Sequence, residues 1–151
     1  MWDVVEHLRD PETVLRMIGE HLIQDGLVFI ETGNFENWRR IVEKDKWGLY
    51  LFDHQFYFSP SSLAQVLCNA AYKSFCLLNC NRERPSLHPK RVLRHPLHSS
   101  ALSWLAWLEW AKARAQWPEH GDINIMVVVG RRGPGLSAPP DRYSVALHSR
   151  R

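Results

Sequence analysis

The sequence predicts an α+β fold in a single domain spanning residues 1–151, a small, mostly antiparallel sheet with four or five helices. Three observations predict it. Segments with apolar residues at helical spacing alternate with short apolar or aromatic runs. A length of 151 residues suits one domain with a buried core. A hydrophobic content of 45%, with seven Trp, six Phe and four Tyr, belongs to a packed globular chain rather than a disordered one.

The first element is a helix in "DPETVLRMIGEHLIQDG". Asp10 is placed to cap it, Pro11 stands at the first helical position and Gly26 marks the stop. Val14, Leu15, Ile18, Leu22 and Ile23 share one face at helical spacing. "LVFIE" at 27–31 is a short apolar run before Thr32-Gly33-Asn34, hence a strand. "FENWRRIVEKDK" returns to helical spacing through Phe35, Trp38, Ile41 and Val42.

Two aromatic runs flank Asp53-His54 in "WGLYLFDHQFYFS", the pattern of a β-hairpin. Ser59 or Ser61 caps a helix through "SSLAQVLCNAAYKSFCLLN" that buries Leu63, Val66, Leu67, Ala70, Ala71, Phe75 and Leu78. Pro85, Pro89 and Pro96 exclude a long regular element after it. Ser99 or Ser100 begins "ALSWLAWLEWAKARAQW", which Pro118 ends. "INIMVVV" at 123–129 is the clearest strand, residues 130–142 form a flexible basic Pro/Gly loop, and "YSVAL" returns as an edge strand. The helix–strand–helix–hairpin order of the first half also admits a winged-helix-like arrangement.

Composition narrows the function classes. Three clustered cysteines, Cys68, Cys76 and Cys80, do not form a secreted disulfide framework and favour a reducing compartment. The start "MWDVVEHLRD" lacks the basic and apolar parts of a signal peptide, and no apolar stretch approaches the ~20 residues that span a bilayer. An intracellular protein without a membrane span is expected, in cytoplasm or nucleus. Residues 1–45 carry ten acids against five bases, so the positive charge lies in the remainder. A basic face could meet RNA or an acidic protein.

Residues 74–100 concentrate the candidate chemistry. Cys76, Cys80, His95 and His98 supply two thiolates and two imidazoles, the donor set of a tetrahedral zinc site. The alternative places Cys76 on a buried face and the histidines in a solvated loop. Arg82, Arg84, Lys90, Arg91 and Arg94 offer phosphate contacts to RNA, without the aromatic residues that stack on bases. Trp104, Trp107 and Trp110 drift around their helix, which is therefore buried on two sides or presents a protein-binding face. No glycine-rich phosphate loop and no paired carboxylates in an apolar setting are visible, so neither an enzyme nor a cofactor is expected.

"LFDHQF", "LLNCNRERPS" and "RHPLHSSALSWL", in that order, resemble the N-terminal half of the F-box-like silencing suppressors of poleroviruses over roughly residues 50–110. The resemblance implies a viral suppressor of RNA silencing that links the adaptor of an SCF ubiquitin ligase to ARGONAUTE. Leu78 and Pro89, with ten residues between them, match the back half of the family's F-box-like motif. Its leading Leu-Pro has no counterpart at Ser74-Phe75 or Phe75-Cys76. Phe75, Leu77, Leu78 and Pro89 would contact the adaptor, with Trp104 and Trp107 supporting it or meeting the target. Direct RNA binding and a zinc-stabilised regulatory module are the competing readings.

Overall fold

The computed structural model describes residues 1–78, 82–85, 96–133 and 144–146. Among these residues, four α-helices and four strands form a single α+β fold: α1 (Pro11–His21), β1 (Leu27–Gly33), α2 (Trp38–Glu43), α3 (Pro60–Asn69), β2 (Tyr72–Leu78), α4 (Pro96–Gln116), β3 (Ile125–Arg132) and β4 (Ser144–Ala146). The sheet order is β1-β3-β2-β4. β3 runs antiparallel to both β1 and β2, and β4 pairs parallel with β2 at the edge.

The expected capping chemistry positions both helices that cover the sheet. Asp10 accepts the Thr13 N–H at 3.0 Å with Pro11 at the first position of α1. That hydrogen bond holds the Asp10 carboxyl below its ordinary value. In α3, Ser59 is the cap and exchanges hydrogen bonds with Ser62, with Pro60 following it. α1 ends at His21, short of the expected stop at Gly26, because Leu22 turns extended and Asp25 adopts φ 61°.

Register explains the core. Val28, Ile30 and Thr32 of β1 stand opposite Gly130, Val128 and Met126 of β3, and across β3 lie Phe75 and Leu77 of β2. Val28, Ile30, Met126, Val128, Phe75 and Leu77 meet Leu15 of α1 and Leu63, Ala64 and Leu67 of α3 in one cluster. Gly130 sits at its centre, where an added Cβ would lie 3.0–3.1 Å from Leu67, Tyr72 and Val28. The Tyr72 hydroxyl donates to the Leu15 carbonyl at 3.0 Å and so pins α1 to the sheet.

Two expected elements differ. The helix read from residue 61 to 79 stops at Asn69, because Ala71 takes a left-handed φ of 64° and the chain re-enters the sheet as β2. Phe75 and Leu77 are therefore buried strand residues, not anchors exposed at a helix end. The expected hairpin around Asp53-His54 is a run of turns, with Tyr50 N–H bonded to Trp47 O and His54 N–H to Leu51 O. Without that hairpin the winged-helix-like arrangement has no wing. The strand read at 123–129 runs to Arg132, three residues into the stretch read as a loop; residues 134–142 lie outside the described residues.

α4 packs against α2, and Ala113 of α4 is buried. The turn that follows is tied tightly, with Gly121 N–H donating to Trp117 O at 2.8 Å and Trp38 N–H to Gly121 O at 3.1 Å. A Cβ on Gly121 would fall 2.4 Å from the Ala113 carbonyl oxygen, a backbone atom that cannot swing aside. Gly121→Ala should cost about 2–3 kcal/mol in urea unfolding, in the range of overpacked cores. A change under about 0.5 kcal/mol, the usual size of a harmless surface substitution, would mean that the junction yields freely.

Candidate active site

The site begins with backbone pairing. Met1–Asp3 lies along the outer edge of β1, with Trp2 forming a parallel bridge to Glu31. The terminal ammonium donates to Phe29 O at 2.7 Å and Glu31 N–H to Met1 O at 2.8 Å. Because the two segments are parallel, the turn Val5–His7 and the loop after Gly33 emerge at the same end of the sheet.

The turn-rich segment 47–58 folds onto that end. Glu6 O accepts hydrogen bonds from Gln55 N–H at 2.7 Å and Phe56 N–H at 3.2 Å. His7 Nδ1 lies 3.1 Å from the carbonyl of Asp53, 46 positions along the chain, and 3.5 Å from its carboxylate. A carbonyl oxygen only accepts, so Nδ1 carries the proton in that bond and the neutral ring keeps its lone pair on Nε2. His7 and His54 meet edge to face, their centroids 4.7 Å apart. Glu6 is 2% exposed, and its Oε2 has no hydrogen-bond partner.

An aromatic wall continues from His54. Its ring lies 5.7 Å from that of Tyr57, and Tyr57 contacts Tyr50, Phe35 and Trp47 at 5.1–6.4 Å. The Arg40 guanidinium sits 4.0 Å above the Phe35 ring, so this wall already receives one cation. Asn34 fixes the loop beneath it. Its amide donates to His120 O at 2.9 Å and Ile123 O at 2.8 Å, and its Oδ1 accepts Glu36 N–H at 3.0 Å.

None of the described residues singled out from sequence belongs to this cluster. Cys76 is on β2, the side chain of His98 is not described, and Cys80 and His95 fall outside the described residues. Arg82 bridges to the buried Asp122 at 2.7 Å and to Glu119 O, so its guanidinium serves the fold. Arg84 is exposed, whereas Lys90, Arg91, Arg94 and Pro89 fall outside the described residues. Trp104 and Trp107 are exposed on α4, at 77% and 37%, and Leu78 is half-buried in β2. The sequence reading missed Glu6, His7, Asp53 and His54. Their only local signal was His next to an acid, twice.

Residues 1–73 match the family model of a methyltransferase domain. The matched segment is just under half of the chain and contains Glu6, His7, Asp53, His54 and Tyr57. Compared with curated proteins, the chain gives no match. The methyltransferase similarity overturns the polerovirus silencing-suppressor reading, together with its F-box, ubiquitin-ligase and ARGONAUTE parts. It also overturns the expectation of a non-enzyme, since a methyltransferase domain is a catalytic unit. Neither the RNA-binding nor the zinc-module alternative gains support from it. No helix among the described residues is long and apolar enough to cross a membrane.

Proposed function

We propose that this chain contributes to methyl transfer, with the acceptor bound at the Glu6–His7–Asp53–His54 cluster. The observation that carries the reading is the cluster's position, at the carboxyl end of two adjacent parallel segments inside the stretch similar to a methyltransferase domain. Moving a methyl group onto oxygen or nitrogen requires the acceptor to lose a proton, and a held imidazole does this well. His7 Nε2 takes that proton, and Asp53 at Nδ1 orients the ring and stabilises the imidazolium that forms.

A methyltransferase implies a sulfonium methyl donor, and the residues present suit its cationic end. Arg40 already covers the Phe35 face, so the donor's cationic end would meet the Trp47, Tyr50 and Tyr57 rings of the wall. When bound, the donor supplies an electrophilic methyl group. The chain's own part is to orient the acceptor against Tyr57 and His54 and accept its proton.

Calorimetric titration with S-adenosylhomocysteine, followed by label transfer from S-adenosylmethionine to a panel of hydroxyl and amine acceptors, tests the reading. Saturable binding is expected, and His7→Ala should slow transfer by about 100-fold or more, the usual size of a lost general base. Absence of saturable binding, or transfer indifferent to His7, would remove it.

A further inference from the structure

We propose that Glu6, His7 and His54 form a binding site for one divalent first-row transition-metal ion. One ligand atom from each of the three lies within 4.8 Å of the others. Ligands held ~2.0–2.1 Å from a tetrahedral zinc stand roughly 3.4 Å apart, so closure needs shifts of about 1.5 Å or less from side chains able to turn. The second observation is independent of that proximity. Glu6 is 2% exposed, yet its Oε2 has no partner, and a buried carboxylate is normally paired or bound to a metal.

The supporting contacts resemble those around metal-bound histidines. His7 donates from Nδ1 to the Asp53 carbonyl, which fixes the tautomer and leaves the Nε2 lone pair for a cation. Gln55 and Phe56 hold the Glu6 backbone, so the loop bearing His54 and the turn bearing Glu6 and His7 are joined before any ion arrives. Two imidazoles and one carboxylate select zinc, iron(II), cobalt(II) or manganese(II) over calcium and magnesium, and leave positions open for a further ligand.

The site shares residues with the methyl-transfer reading and deepens it. With the cation bound, the His7 lone pair is occupied and no longer serves as the base. An acceptor hydroxyl would then bind through oxygen and release its proton to water, because the ion's charge lowers its pKa. Cation binding itself needs neither donor nor acceptor, so the two ideas fail separately.

The test is titration of the chelator-treated full chain with cobalt(II), followed by visible absorption and calorimetry. One equivalent is expected, with ligand-field bands and no thiolate-to-metal charge transfer. His54→Ala and His7→Ala should each weaken binding by more than the roughly 10–100-fold that a supporting-residue change costs, whereas Asp53→Ala keeps the backbone carbonyl that accepts from His7 Nδ1 and should weaken binding by less than about 10-fold. Glu6→Gln should abolish the rise in Tm that cobalt gives the native chain while folding without metal, which separates lost binding from lost structure. No uptake, uptake unchanged in His54→Ala, or several weak equivalents insensitive to all four variants would overturn the site. A thiolate band would move the ion to the cysteines and overturn it equally.

Discussion

Tyr72→Ala should lower the urea midpoint sharply, with a loss of about 3–5 kcal/mol, the cost of truncating a buried aromatic side chain. Tyr72 is fully buried where α1, α3 and the sheet converge, and it fills the space above Gly130 that a larger residue there would contest. Tyr72→Phe keeps that packing and removes only the hydroxyl bond to Leu15 O, so about 1 kcal/mol is expected. A loss below about 1.5 kcal/mol for the alanine variant would show that α1 docks without this ring. Burial raises the Tyr72 pKa above its ordinary value of about 10. The unfolded chain therefore ionises first. This stabilisation is complete below pH ~10 and is lost as the pH rises through the folded value, a decline that Tyr72→Phe should reduce.

The second large effect is expected at Asn34. Its side chain satisfies two carbonyls and one N–H between the end of β1 and the turn before β3, entirely out of solvent. Asn34→Ala removes these partners and should cost about 3 kcal/mol. Asn34→Asp should cost more near neutral pH, because a carboxylate oxygen would face two carbonyl oxygens. Protonation would restore one donor, so the deficit of the aspartate variant should shrink as the pH falls and grow as it rises. Thermal unfolding across pH 3 to 8 would read this, and a deficit independent of pH would contradict the assigned bonds. Because Phe35 follows Asn34 directly, both variants should also weaken donor binding at the aromatic wall.

The legible parts of the fold were those with local chemical signals. The Asp10-Pro11 start, the Ser59 cap, and the short apolar runs of β1 and β3 each depend on neighbours in sequence. β2 was read as helix because "CNAAYKSF" contains neither glycine nor proline. The break is an alanine forced left-handed by the sheet beyond it, a tertiary demand that propensity does not carry. The aromatic residues of 47–58 form two runs about Asp53-His54 as in a hairpin, but they pack as a wall. The site was harder still. Glu6 and His7 meet Asp53 and His54 because a loop distant in sequence folds back onto the Glu6 carbonyl, whereas the crowded Cys and His residues of 74–100 drew notice by proximity in sequence. Likewise, the absence of a glycine-rich loop argued against an enzyme only for chemistry that requires one.

The placement of β3 between β1 and β2 has a consequence for biogenesis. Leu27 pairs with Arg131, and Phe75 with Gly130, so neither earlier strand acquires its main partner until β3 itself, from Ile125 on, has left the ribosome. Until then β1 offers one bare edge with Val28, Phe29 and Ile30 in it, bordered only by Met1–Asp3. Such an unpaired hydrophobic edge invites pairing with other chains. A ribosome stalled before Ile125 should therefore hold a chain that chaperones recognise, and one released past Arg132 should hold a chain that can close its sheet.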